Sequence, residues 1–327
     1  MILKMMRNET MTIAKRLREL LEEEASKINV DAVLLSGGLD SSITTYLLRH
    51  SDPTAITVIL LENPGKDEEY SIKVSKKLSV KHIILKVNVK YAISKIPDIV
   101  KILKTFSPME IPNDIPILIA LEYAKSQGFT TLATGDGGDE LFCGYSYMTK
   151  MSYEELEKYI QNLPKFWYFP TFKLSERFNI NSLSIFLKDR VINYALSIPV
   201  KYKLYRDDNT IITKYILRLA FQDVLPRDVV WRIKEPIEYG SGFTYIRKVI
   251  ENMISDYEFH REVNRIIKED NVKIVSKEQL YYYKIYREFY EPPHQYSKTS
   301  LRCPYCGADL NPHNLRYCYV CGSCIDV

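Results

Sequence analysis

The sequence predicts an α/β protein, a doubly wound parallel sheet joined to a helical second lobe and a small C-terminal cysteine module. Three observations carry this. Short β-branched runs alternate with helical segments as far as Tyr145, and parallel strands need such crossover helices. Beyond Tyr145 helical periodicity takes over. Five of the six cysteines, Cys303, Cys306, Cys318, Cys321 and Cys324, crowd the last 25 residues.

In order along the chain, Ile13, Leu17, Leu20, Leu21, Ala25 and Ile28 recur at three- and four-residue steps, the apolar stripe of an opening helix. Strands are expected at 31–35 (DAVLL), 54–61 (TAITVILL), 81–87 (KHIILKV) and 129–134 (FTTLAT). Helices are expected between them, at 41–49, 67–79, 92–106 with a break near Pro97, and 112–127. In the second lobe helices are expected at 152–163, 188–198, 213–221, 243–258 and 277–290, and no strands. Glu291-Pro292-Pro293 ends the last helix. This gives a sheet lobe over 1–150, a helical lobe over 151–294 and a cysteine module over 299–327.

The 327 residues are 46% hydrophobic, enough for a sizeable core. Against 41 acidic residues the 45 basic ones leave a formal charge of +4, too small to define a nucleic-acid protein. No stretch approaches the ~18 apolar residues of a membrane span. The N-terminal MILKMMRNETMTIAKRLREL lacks the apolar centre of a secretory signal. A soluble, cytoplasmic protein without membrane association is expected.

The chemistry concentrates in two turns. The first expected strand runs into Ser36-Gly37-Gly38-Leu39-Asp40-Ser41-Ser42. Gly37 and Gly38 permit a sharp bend and a close approach to bare backbone. Amides at the start of the following helix, with the serine hydroxyls, favour an anion such as phosphate. Asp40 would repel that anion unless a divalent cation lay between them, and Mg²⁺ held by carboxylate and phosphate oxygens resolves the conflict. A plain serine-capped turn accounts for less of this composition. The fourth expected strand runs into TGDGGDELFCGY, 134–145, which brings Asp136, Asp139 and Glu140 to the same sheet edge. Ligands of doubly wound sheets bind beyond the carboxyl ends of the strands. Four clustered carboxylates are better explained by a cation than by a solvated loop.

Together, SGGLDSS and GDGGDELFCGY resemble the synthetase domain of the asparagine synthetase and β-lactam synthetase family, PP-loop ATP-pyrophosphatases of adenine nucleotide α-hydrolase-like fold. The likeness runs from about Leu20 to Phe243 and includes YSIKVSKKLSVKHIIL and KYILRLAFQDVLPRDVVWRIKE. It implies an ATP-dependent, AMP-forming carbon–nitrogen ligase. A carboxylate, aspartate or a relative, is activated as an acyl-adenylate and then captured by ammonia or another amine. The resemblance implies that Ser36, Gly37, Gly38, Ser41 and Ser42 cradle pyrophosphate and that Leu34 and Gly135 border the nucleotide. Asp40 and Asp139 match the Mg²⁺ ligands, and Lys234 the lysine that offsets charge on the α-phosphate. Lys214 and Arg218 match the pattern as supporting residues.

The sequence also departs from the family. The usual glutamate of the second motif is Asp136, one methylene shorter, which bears on its role as a base. The segment SIFLKD, 184–189, replaces the family's RVPFLD, which puts aspartate itself in question as the acceptor. Met1 is followed by Ile2 rather than by a catalytic cysteine. The expected nitrogen source is therefore free ammonia, an amine, or delivery by a separate glutaminase or carrier protein. Cys143 reads as a packed thiol.

CPYCG and CYVCG, eleven residues apart, read as the two knuckles of a zinc ribbon with Cys303, Cys306, Cys318 and Cys321 as ligands. Cys324 and His313 are spare donors. The ribbon's weak charge favours docking over nucleic acid. In LYYYKIYREFY, 280–290, Leu280, Tyr283, Ile285 and Phe289 form a packing face. The alternative function is a PP-loop enzyme that adenylates a tRNA base, with the ribbon gripping RNA.

Overall fold

The computed structural model describes residues 2–207, 210–312 and 316–325, with side chains from residue 8 onward. Five parallel strands form one sheet in the order β3-β2-β1-β4-β5. They are β1 (Ala32–Leu34), β2 (Thr54–Leu60), β3 (His82–Val87), β4 (Thr131–Thr134) and β5 (Asn181–Ser184). All seven residues of β2 are buried, which explains its unbroken apolar run: a parallel strand covered on both faces shows no alternation.

From β1 the chain winds outward to β2 and β3, and β4 then starts on the other side of β1. The β1–β4 seam is thus the switch point at which doubly wound folds open a crevice. Ala32 pairs with Leu132 and Val33 with Ala133, so both strands deliver their glycine turns at the same level.

The strand β5 corrects the expectation that strands end at Tyr145. Its sequence, NSLS, is too short and polar to show a pattern, and its pairing with β4 from Asn181 to Ser184 defines it. The single helix expected at 243–258 is two, Tyr245–Met253 and Asp256–Asp270. Ile254 is extended between them, and the Ser255 side chain caps the second by accepting from Glu258 N. The expected 92–106 helix is likewise two, Val89–Ile93 and Ile96–Leu103, with Pro97 in the first turn of the latter. Pro170–Glu176, a short helix, was not expected.

Two apolar clusters cover the sheet. One joins Leu17 and Leu21 of the opening helix Ile2–Ala25 to Val33, Ile43, Phe142, Ile216 and Phe221. The other gathers Ile56, Leu60, Ile115 and Leu132 with Leu280, Tyr282 and Tyr283 of the helix Lys277–Phe289, and with all four ribbon cysteines. The ribbon is tied down by main-chain bonds. Phe106 N donates to Val320 O and Lys273 N to Tyr305 O, each at 2.8 Å. Gln279 Nε2 donates to Cys321 O at 2.8 Å. Of the expected packing face, Leu280, Tyr283 and Ile285 are buried and Phe289 is exposed; Tyr282 and Tyr286 are buried as well. Those buried rings are unavailable to stack on bases. Among the described residues no helix is long and apolar enough to cross a membrane.

Phe106 is fully buried, edge-on to Tyr283 at 4.9 Å and to Tyr286 at 5.3 Å. Phe106→Ala is expected to lower unfolding free energy by about 3–5 kcal/mol, read as a shift in urea midpoint; an unchanged midpoint would contradict this packing.

Candidate active site

The first turn is built on Gly37, whose φ is +70° and where a Cβ would lie 2.5 Å from Ser71 N and Tyr70 Cβ. Gly38 precedes the helix Leu39–Leu48, and no side chain caps that terminus, so its leading amides are free for an anion. Ser36 Oγ accepts from Gly38 N at 3.2 Å and lies 3.0 Å from Ser41 Oγ. Ser42 is different. It is wholly buried, with its hydroxyl donating to Gly38 O at 2.6 Å and its amide at 3.0 Å. It holds the turn from inside; Ser41 Oγ also donates to Gly38 O, at 3.1 Å, but Ser41 is only half-buried. Leu34 ends β1, half-buried, paired with Ile56.

The second turn touches the first. A Cβ at Gly138 would lie 2.5 Å from Asp40 Cγ, and one at Gly135 would lie 2.9 Å from Ser41 N. Only glycine lets the loops close this far. Asp40 and Asp139 then meet on one cation: Lys214 Nζ contacts Asp40 Oδ2 and lies 2.7 Å from Asp139 Oδ1. The Lys214 side chain is 4% exposed. It heads the helix Tyr215–Phe221 in a left-handed conformation, φ +54°, with its amide donating to Phe142 O at 3.1 Å. Lys214 is thus at the centre of the site, where a supporting place was expected.

Burial pushes the Asp40 carboxyl above its ordinary value; Lys214 opposes this and the Asp139 charge adds to it. Burial also works against ionised Asp139, yet Lys214 and then Lys234 outweigh it and hold that carboxyl low. One carboxylate beside a shared lysine is favoured over two. Asp40 Oδ1 is buried with no hydrogen-bond partner, an open ligand atom suited to a cation. Lys234 stands over Tyr145, its Nζ 5.1 Å from the ring centroid.

Arg218 places that lysine's segment, since its guanidinium donates to Arg232 O at 3.0 Å and contacts Val230 O. It is structural, as expected. Arg232 spans the first turn and the helix Asp67–Leu78, 3.0 Å from Asp67 Oδ1 and 2.8 Å from Glu235 Oε2. Neither Arg232 nor Asp67 stood out in the sequence. An acid opening the helix after β2 was the available signal.

Asp136 Oδ2 accepts from the Thr134 hydroxyl at 2.8 Å, and its carbonyl accepts from Ser184 Oγ at 2.6 Å. The SIFLKD segment thereby braces the second loop. Burial raises the Asp136 carboxyl, and burial with the Asp139 charge pushes Glu140 up to about 7. Cys143 is fully buried, its thiol pushed by burial up to about 12. It is a packed thiol.

The sulfurs of Cys303, Cys306, Cys318 and Cys321 all lie within 4.8 Å of one another. Cys303 to Cys321 is 3.6 Å and Cys306 to Cys318 is 3.8 Å. A tetrahedral ion with metal–sulfur bonds of about 2.3 Å sets sulfurs roughly 3.8 Å apart, so the cluster could hold one. Cys324 is exposed and outside this cluster; His313 lies outside the described residues.

A profile of the family described as asparagine synthase matches residues 16–184 and 180–304. The chain belongs to the asparagine synthase family. Its sequence is 28% identical over 285 residues to asparagine synthetase [glutamine-hydrolyzing] 3 of Arabidopsis thaliana, covering 79% of this chain and 48% of that protein. It is 27% identical over 311 residues to a probable asparagine synthetase [glutamine-hydrolyzing] of Dictyostelium discoideum, covering 86% and 55%. The chain thus spans about half the length of these curated relatives. Among solved structures, an NMN synthetase from Francisella tularensis aligns over 90% of this chain and 99% of its own, at 10% identity and a TM-score of 0.38.

Burial, against the opposing Arg232 charge, lifts Asp67 from 3.8 to about 7. The folded chain then keeps a proton that the unfolded chain loses, so stability declines as pH rises from about 4 to 7. Asp67→Asn is expected to flatten that decline. Urea midpoints taken at pH 5 and pH 7 read it, and an unaltered slope would count against the assignment.

Proposed function

We propose that this chain is an ATP- and Mg²⁺-dependent amide-forming ligase of the cytoplasm, asparagine synthetase-like, that activates a small carboxylate and releases AMP and pyrophosphate. The observation that carries this reading is the meeting of Asp40 and Asp139, from two different strand ends, beside the uncapped glycine–serine turn.

In this reading the amides following Gly38 and the Ser36 and Ser41 hydroxyls receive the pyrophosphate portion of ATP, and Gly37 keeps side-chain bulk away from it. Leu34 and Gly135 border the nucleotide through their main chain. Asp40 and Asp139 would hold Mg²⁺, which when bound supplies positive charge against the triphosphate. Lys214 neutralises the same two acids from within the fold. Lys234 offsets the negative charge that grows on the α-phosphate as the carboxylate attacks and pyrophosphate leaves.

The acyl-adenylate then loses AMP to ammonia or another amine. Asp136, raised by burial, is suited to take the proton that the amine gives up. The nitrogen reaches the site free or from a separate glutaminase or carrier protein. Zinc is the ion proposed for Cys303, Cys306, Cys318 and Cys321, where four thiolates would bind the two knuckles to one point.

Pyrophosphate and AMP release, assayed with aspartate, other carboxylates and tRNA, each with and without ammonium, tests the reading. Release that needs a carboxylate supports it; ADP as product, or release that needs tRNA, overturns it. Asp40→Asn is expected to cut turnover at least about 100-fold with the far-UV spectrum unchanged, and wild-type turnover would remove the proposed metal role. Serine at both Cys303 and Cys306 is expected to abolish zinc content by atomic absorption, while stoichiometric zinc in that variant would refute the ligand set.

A further inference from the structure

Lys234 offsets charge on the α-phosphate in the ligase reading, yet no regular structure fixes it. It lies in residues 232–236, which join the short helices Arg227–Val230 and Ile237–Gly240 without belonging to either. Ile233 beside it is 85% exposed. The other neighbouring cation, Arg232, is held by two carboxylates, Asp67 at 3.0 Å and Glu235 at 2.8 Å. Among the described residues Lys234 makes no ion pair and no side-chain hydrogen bond.

Its anchor is a ring. Lys234 Nζ stands over Tyr145, 5.1 Å from the centroid, within the range at which an aromatic face attracts an ammonium. A lysine on its flexible stem gives up much rotamer freedom when it is held in one place. A carboxylate would hold it more tightly, but would cancel the charge that the reaction needs. A neutral ring holds the ammonium and leaves that charge in force.

Tyr145 is itself fixed. Its hydroxyl donates to Glu140 Oε1, and its ring stacks on Tyr147 with centroids 5.4 Å and planes 12° apart. Tyr147 meets Tyr159 edge-on at 6.0 Å, their hydroxyls 3.1 Å apart. Tyr159 belongs to the helix Tyr153–Asn162 and lies 6.2 Å from Phe166. Phe166 is buried in the apolar cluster that holds Cys143, Leu156 and Leu204. A row of rings thus runs from the interior of the second lobe out to the lysine. Tyr145 and Lys234 are both half-buried, so the pair at the end of that row is not sealed inside the packing.

We propose that Tyr145 is the positioning residue for Lys234: its ring seats the ammonium at the end of the second glycine turn, and the rings behind it make the helical lobe part of that seat. The seat stands on geometry; its effect on turnover rests on the ligase reading. The ring acts through its face, so phenylalanine can replace tyrosine and an aliphatic side chain cannot.

Proton–carbon NMR of the full, metal-replete chain carrying ¹³C-labelled lysine tests the seat without substrate. The ε-methylene signal of Lys234, identified by its loss in Lys234→Met, is expected upfield of the ordinary lysine position because of the ring current. That shift is expected to persist in Tyr145→Phe and to vanish in Tyr145→Leu. In the pyrophosphate assay Tyr145→Leu is expected to lower kcat about tenfold with KM for ATP unchanged, and Tyr145→Phe to stay within about threefold of wild type. Tyr145→Met serves if Tyr145→Leu alters the far-UV spectrum. An unshifted Lys234 signal, a shift that survives Tyr145→Leu, wild-type turnover in Tyr145→Leu, or an equal loss in Tyr145→Phe would overturn the proposal. If no condition yields pyrophosphate, the ligase reading fails and the NMR result alone decides the seat.

Discussion

The structure depends on one electrostatic arrangement, two buried carboxylates from separate strand ends held on a single lysine. Without Lys214, Asp40 and Asp139 would be like charges forced together out of water. Removing one partner from such a group costs about 3–5 kcal/mol, a large share of a domain's stability. The surrounding features bring the three groups within reach. The β1–β4 register levels the two turns. Gly138 has no Cβ to meet Asp40, and the left-handed Lys214 turns its side chain inward beside Phe142.

The rest of the molecule serves to hold those turns. The opening helix and the Tyr215–Phe221 helix share one apolar cluster, so Lys214 is fixed from below by packing as well as by charge. Arg218 ties the end of that helix to the Val230–Arg232 backbone and thereby sets where Lys234 can reach. Arg232 then returns to Asp67 on the helix that follows β2. The chain thus encircles the first turn through apolar packing, arginine-to-carbonyl bonds and the Arg232–Asp67 ion pair.

The sheet and the two turns were legible in the sequence because their signals are local. TAITVILL, short and rich in β-branched residues, reads as a buried strand, and SGGLDSS states its turn in its glycines and hydroxyls. What stayed hidden is tertiary. β5 is four half-polar residues that exist as a strand only through pairing with β4. Lys214 was visible as part of a run but not as a centre, because its importance comes from Asp40, which is 174 positions away in the chain. Ser42 looked like its neighbours Ser36 and Ser41, and only the backbone path shows that it alone of the three is wholly buried in the turn.

The ribbon's place in the core has a consequence for how the protein matures. Its cysteines share a cluster with Ile56 and Leu132, yet they come after all of the sheet in translation order. Domains usually fold as units as they leave the ribosome. Here the surface around Phe106 stays open to water until Cys321 has been made, so the nascent chain passes through a long interval with an unfinished side. That side of the sheet is fully covered only once the ribbon is in place.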